Sequence, residues 1–340
     1  MTRFLVRRLA QAIIVVVGVV IVTFAVGRLV PGDPAVTYAG PRASRAQLIE
    51  VRRQLGLDKS WPVQLVEYMK GVLTGDWGTA LHTHRPVLDD LATAVPASLE
   101  LVLAALLVGV IVGLPLGIAS ARNRGRLLDV VIRLLSMLSV SMPIFWLGLI
   151  LQHVFFQRLG WLPVAGEYDS RIEAVHPLAV HTHFTILDAL ISGNWAVFRS
   201  SLSHIVLPAL TVAAYPAGAI AQMTRASLLE TIVEDHVRMA RALGFSERAI
   251  FGRLALRPAL NPVIALLALI FAYSLANTFL VESIYDWPGL GSYAVAAIQS
   301  LDAPAILGVT LFVALAYVIA NLLVDIVQSL IDPRVRGVRS

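Results

Sequence analysis

The sequence predicts an all-α polytopic membrane protein with six transmembrane helices, and three observations predict it. Apolar residues make up 57% of the chain and charged residues 14%, where an ordinary soluble domain is about a quarter charged. Six apolar runs reach the roughly 20 residues that a helix rising about 1.5 Å per residue needs to cross a hydrocarbon core about 30 Å thick. Arginines gather in the connections at alternate ends of those runs, as they do in cytoplasmic loops.

The first run, Leu9 to Val30, follows Arg3, Arg7 and Arg8 as a secretory leader would. It is longer than a leader's usual apolar stretch of about 7–15 residues and ends RLVPGDPA, so it predicts a retained anchor. The second, Ala97 to Ser120, carries Gly109, Gly113 and Gly117 in the GxxxGxxxG spacing that lets a neighbouring helix approach closely. The third spans Val130 to Phe156, the fourth Leu202 to Met223, the fifth Leu260 to Val281 and the sixth Ala305 to Val327. Pro115, Pro143, Pro208 and Pro216 interrupt three of them, which membrane helices tolerate where neighbours satisfy the freed carbonyls. Arg28 and Glu100, near helix ends, are expected to snorkel toward water.

Arg3, Arg7 and Arg8, then Arg122, Arg124 and Arg126, then Arg238, Arg241, Arg248, Arg253 and Arg257, then Arg334, Arg336 and Arg339 all fall on one side of such a topology. Residues 282–304 hold no Lys or Arg. Both termini and the basic stretch 236–262 are therefore expected in the cytoplasm, with residues 31–95, 158–201 and 282–304 outside. Segment 31–95 mixes seven basic with seven acidic residues, which suits a small folded or surface-lying element. The net charge of +5 belongs to the positive-inside arginines, so no nucleic-acid partner is expected.

Motifs for catalysis or energy conversion are missing. The lysines are Lys59 and Lys70 and neither follows a glycine, so there is no P-loop to cradle a nucleotide. No His-Glu-x-x-His or Gly-x-Ser-x-Gly occurs, and no cysteine offers thiol chemistry or disulfides. His82, His84, His176, His181 and His183 have spacings at which imidazoles can share a metal, or they are solvated loop residues; no metal site is assigned. Polar residues inside the apolar runs are the better functional candidates, because hydrocarbon penalises them by a few kcal/mol unless they face protein or water. Ser136 and Ser139 share a face of the third run, and Ser274, Asn277 and Thr278 a face of the fifth. They read as a translocation path or as helix-to-helix hydrogen bonds. Asn321 and Asp325 lie one turn apart in the sixth.

The basic stretch HVRMARALGFSERAIFGRLALRPALNP predicts a short helix that stops at Gly244, then a second helix capped by Ser246 that ends near Pro258. Apolar Met239, Leu243 and Phe245 interleave with arginines, a mixture suited to another protein's groove or to anionic lipid head groups.

RMARALG followed by Leu254-Ala-Leu256 resembles the EAA loop of ABC importer membrane subunits, with Arg238 where the motif's Glu stands and Arg257 where its Pro stands. LGLDKSWPVQ, LTGDWGTAL, WLPVAG, VESIYDWPGLGSYAVAAIQ and DPRVR resemble, in that order, the OppB/DppB-like permeases of peptide importers; residues 167–201 fit less well, as an insertion. The resemblance implies a type I ABC importer permease: residues 1–30 as N-terminus and first helix, 31–95 as an outside subdomain, and 96–340 as a permease core with a coupling loop at 226–258. It implies a second permease chain, two cytoplasmic ATPases that carry ATP and Mg, and an outside solute-binding protein. Arg238, Met239, Ala240, Arg241, Ala242, Leu243, Gly244 and Phe245 would couple to an ATPase, with Gly244 as hinge. Tyr285, Asp286, Trp287, Pro288 and Gly289 would form an outer gate or touch the binding protein. The cargo would be di- or oligopeptides, with nickel or another small solute as the alternative in the same architecture. A self-sufficient channel or secondary transporter is the rival class.

Overall fold

The computed structural model describes residues 2–29, 34–40, 42–54 and 56–331. The DPRVR ending with Arg334, Arg336 and Arg339, and the side chains of Arg3, Arg7, Arg8, Arg28 and Asp325, lie outside the described residues.

In chain order the described helices are α1 Thr2–Leu29, α2 Pro34–Ala39, α3 Arg45–Gln54, α4 Trp61–Thr74, α5 Val87–Arg122, α6 Leu127–Ser141, α7 Ile144–Leu151, α8 Ser170–Val175 and α9 Thr185–Ile191. They continue with α10 Trp195–Thr231, α11 Asp235–Ala242, α12 Glu247–Ala249, α13 Leu256–Asn277, α14 Phe279–Ile284, α15 Leu290–Gln299 and α16 Ala303–Ile331. Wider π-helical turns, Gln152–Arg158 and Ile250–Ala255, extend α7 and join α12 to α13.

Four helices are long and apolar enough to cross a membrane: Val87–Arg122, Trp195–Thr231, the continuous Glu247–Leu275, and Ala303–Leu322. The third predicted run is instead two helices, Leu127–Ser141 and Ile144–Arg158, bent by 105°, and passes only as a pair. Against six predicted spans the described residues thus give four, or five with the bent pair; within α1 the apolar stretch Ile13–Ala25 is shorter than a span. The bend has a local cause. Pro143 disfavours helical backbone at the residue before it, and Met142 is extended at φ −75°, ψ 131°. Pro96, Pro115, Pro208, Pro216 and Pro262 stay inside continuous helices.

The longest pair, α5 and α10, packs through the glycine stripe. A Cβ on Gly113 would lie 2.6 Å from the Ala217 carbonyl, and one on Gly117 2.6 Å from the Thr224 Cβ, so only glycine allows this approach. Apolar clusters stack along the bundle. Ala121, Leu228, Val237, Ile250, Ala255 and Ala259 close the arginine-rich end, Ile220, Val263 and Ile270 the middle, and Leu101, Ala105, Leu207, Tyr285 and Trp287 the opposite end. Leu103, Leu107, Ile111, Leu134 and Leu135 point outward, an apolar exterior that suits lipid or a partner helix and not water.

Candidate functional site

At the arginine-rich end, α10 turns at Ile232–Glu234 into α11, which buries only Val237 and Ala240 against the cluster around Leu228 and Ile250. The helix ends as its sequence demands. Gly244 takes φ +84°, its amide bonds the Arg241 carbonyl at 3.1 Å, and the Phe245 amide reaches back to Ala240 at 3.2 Å. That is the paired closing bond of a helix ending in a left-handed residue. Ser246 then accepts from the Ala249 amide and starts the return helix. This second helix does not end near Pro258, as expected, but runs on into the span as far as Leu275. The widened turn Ile250–Ala255 precedes the proline and makes room for its ring and missing donor.

The Arg241 guanidinium bridges the glycine turn to Glu247 at 2.8 and 3.3 Å, and this bond raises the arginine's pKa and lowers the carboxylate's. Of the eight residues expected to couple, Ala240 alone is buried. Met239 (66%) and Leu243 (68%) are largely exposed beside Arg238, Arg241, Ala242 and Phe245. Behind them the Arg122 guanidinium covers the Phe251 ring at 5.4 Å.

The break between α6 and α7 opens onto a cavity of about 260 Å³ whose walls include Ser139, Met142, Pro143, Thr211, Tyr215, Tyr273, Asn277 and Phe279. Of the five residues expected along a path, Ser139 and Asn277 meet there, whereas Ser136, Ser274 and Thr278 are buried beside it. The hydrogen bonds that the Ser139 and Asn277 side chains make lie within their own helices and do not cross to a neighbour. Ser139 donates to the Ser136 carbonyl at 3.0 Å and Asn277 to the Tyr273 carbonyl at 2.8 Å. Sequence reasoning missed Thr211, Tyr215 and Tyr273; the last two, with ring centroids 5.2 Å apart, were legible only as tyrosines within apolar runs. The lining carries no charged side chain, so the cavity offers neutral hydroxyls, amides and aromatic faces.

At the opposite end, Tyr285 and Trp287, expected at a gate or docking surface, are enclosed within the chain at 1% exposure each. The Trp287 indole donates to the Ala97 carbonyl at 2.9 Å, and the Tyr285 hydroxyl meets Thr211 Oγ1 at 2.9 Å and the Gly148 carbonyl at 3.1 Å. These large rings fill the core of that end, and burial pushes the Tyr285 phenol's pKa up. Gly289 is buried too, since a Cβ there would meet Glu282 Oε2 and Ser98 Oγ, each at 2.5 Å. Only Asp286 and Pro288 of the five reach the surface.

Glu100 does not snorkel. It is nine-tenths buried and accepts from the Ile186 amide at 2.8 Å, because segment 167–201 folds over it. Within that segment His181, Thr182 and His183 turn their amides onto Asp188, and burial of that carboxylate is outweighed by these donors and the Thr182 hydroxyl, which hold its pKa down. His82 bonds Asp302 at 2.6 Å. Among the described residues no group of three or more His, Asp or Glu side chains converges on a metal-sized space.

A family model described as binding-protein-dependent transport system inner membrane component matches residues 113–337, and its N-terminal companion matches residues 1–102. The chain is 42% identical, over 95% of its length and 94% of the relative's, to the probable D,D-dipeptide transport system permease protein DdpB of Escherichia coli strain K12. It is 38% identical to the di/tripeptide transport system permease protein DppB of Pseudomonas aeruginosa, with 100% of both chains covered. It is 33% identical to the glutathione transport system permease protein GsiC of Salmonella typhi, with 99% of both covered. Matched in both parts and aligned with these relatives nearly end to end, the chain belongs to the binding-protein-dependent transport system inner membrane component family, the type I permeases of ABC importers.

Proposed function

We propose that this chain is one of two permease subunits that together form the path by which di- or oligopeptides, delivered by an outside solute-binding protein, enter the cell at the expense of ATP. The observation that carries the proposal is the socket at Arg238–Phe245: a short helix anchored from behind by Val237 and Ala240, with Met239 and Leu243 unburied among arginines. Full burial of a leucine or methionine side chain contributes about 1.5–3 kcal/mol, so such a face is stabilised by a protein groove. That groove belongs to one of two cytoplasmic ATPases, which hold ATP and Mg. The socket and both termini then lie in the cytoplasm, and residues 31–95, 158–201 and 282–304 lie outside. Cargo class follows from the relatives, whose names specify dipeptides, tripeptides and glutathione. The uncharged cavity is consistent with it, since peptide groups hydrogen-bond to hydroxyls and amides and a bare metal ion does not stop there.

The test is reconstitution. The chain is co-expressed with its permease partner and ATPases and assayed in proteoliposomes with the binding protein and a labelled dipeptide. Uptake that requires ATP, and that disappears in the Met239→Glu, Leu243→Glu double variant as ATPase binding weakens at least about a hundredfold, is expected. A chain that purifies without ATPases and conducts solute by itself favours the channel or secondary transporter.

A further inference from the structure

Asp129 lies in the first turn of α6 and is 1% exposed. Its Oδ1 accepts from Arg225 Nε at 2.7 Å and Ser120 Oγ at 2.6 Å, and its Oδ2 from Arg225 Nη2 at 3.0 Å and the Gly125 amide at 2.9 Å. Arg133, one turn further along α6, brings its Nε to 3.6 Å. One carboxylate therefore joins the end of α5, the turn after it, the start of α6, and α10. A two-pronged guanidinium–carboxylate pair has fixed geometry, unlike apolar surfaces, which slide.

The helix it holds also crosses α10 closely at Gly218, where a Cβ would lie 2.7 Å from the Ser136 carbonyl, but much of its apolar surface is turned outward. α6 buries Asp129, Ile132 and Ser136, while Leu127, Leu134, Leu135, Met137 and Leu138 face outward. The partners of Asp129 sit beside the socket. Ser120 adjoins Ala121, and Arg225 lies one turn from Leu228, two residues of the cluster on which Val237 of the socket helix rests. Beyond the Met142–Pro143 break the other half of the bent pair is tied to the opposite end, where Gly148 accepts from Tyr285 and Gln152 donates to the Ile284 carbonyl at 2.9 Å. The cavity lies at the joint between the two halves.

We propose that Asp129 is a positioning residue of the transport cycle: by gripping Arg225, Ser120 and Gly125 it makes α6 one rigid body with the ATPase socket, so that socket movement is delivered as bending at Met142–Pro143. This rests on the function proposed above. α7 stays with the outer loop while α6 follows the socket, and the cavity between them changes shape.

The chain contains no cysteine, so labels can be placed without background. In the assembled transporter, spin labels at Leu127→Cys and Asp235→Cys, the exposed first residue of the socket helix, measure α6 against the socket, and labels at Leu127→Cys and Phe156→Cys measure across the joint. Adding ATP is expected to leave the first distance distribution unchanged and to shift the second. With Asp129→Asn the first distribution should broaden, and peptide taken up per ATP hydrolysed should fall about tenfold. A first distance that moves with ATP in the otherwise native chain overturns the inference, and so does an Asp129→Asn transporter whose uptake per ATP is unchanged, since purely structural damage lowers uptake and hydrolysis together. A second distance that stays fixed while ATP drives uptake also overturns the inference and leaves the function standing; if no ATPase binds and uptake needs no ATP, the functional proposal itself fails.

Discussion

Ser98 and Glu282, 184 residues apart in the chain, are joined by a 2.7 Å hydrogen bond in the buried end of the bundle away from the arginine-rich loop. The same carboxylate accepts from the Gly291 amide at 2.6 Å and the Ser292 amide at 3.2 Å, while Ser98 Oγ accepts from the Leu290 amide at 2.7 Å. The turn between α14 and α15 is thus folded around one buried glutamate and one serine of α5. Glu282→Ala leaves three donors unpaired out of water and should cost about 3 kcal/mol or more, whereas Glu282→Gln, which keeps the volume and one acceptor, should cost less. Thermal unfolding in detergent checks this; equal midpoints for the two variants would contradict it.

Gly113 and Gly252 form a matched pair for testing the α5–α10 seam. A Cβ on Gly113 lands 2.6 Å from the Ala217 carbonyl and 2.9 Å from the Ile220 Cβ, whereas one on Gly252 meets nothing within 4 Å. Gly113→Ala should destabilise by about 1–3 kcal/mol, the usual penalty of overpacking, and Gly252→Ala should be neutral. The same melting experiment reads both.

Gly244 separates backbone strain from steric clash, because its φ of +84° excludes most side chains although no atom lies within 4 Å of a Cβ there. Gly244→Asn, which tolerates left-handed backbone, should retain most uptake. Gly244→Val should strain the turn by about 1–2 kcal/mol and uncouple ATP hydrolysis from uptake, with the chain still inserted. Proteoliposome uptake measured beside ATPase rate distinguishes them, and equal coupling in both variants would show that the turn is no hinge.

Glu167 supplies a pH test for the docking of segment 167–201. Burial raises its pKa, more than the Thr185 hydroxyl bond at 2.8 Å lowers it. The folded state therefore favours the neutral acid. Its docking should be firmest below the ordinary glutamate value of about 4.3 and should loosen as pH rises through the raised folded value. Hydrogen exchange at Thr185 and Ile186, corrected for intrinsic rates, should show more frequent opening at pH 8 than at pH 5, and Glu167→Gln should flatten the difference.

Much of this fold was legible because its causes are local. Apolar length gave the long spans, glycine spacing the α5–α10 seam, and RALGFS the turn of the socket, whose closing bonds need only a left-handed residue at Gly244. The bend of the third run was not, since a proline inside a helix is ambiguous: Pro216 packs its ring against Gly109 and is absorbed, whereas Pro143 breaks the helix. Tyr285 and Trp287 looked like surface aromatics of a loop because nothing local announces that Ala97, Gly148 and Thr211 will surround them. Glu100 likewise meets its partner, the Ile186 amide, 86 residues further on.

The broken helix has a consequence for what the transporter tolerates. Where α6 ends and α7 begins, terminal carbonyls and amides lose their helical partners, and no side chain caps the start of α7. Beside the cavity this leaves main-chain groups of the kind that pair with another main chain. A cargo held through its own amide groups is judged on its length and backbone, not on the residues it carries. Selectivity would then be set before the cargo arrives, leaving this membrane chain as an indifferent doorway.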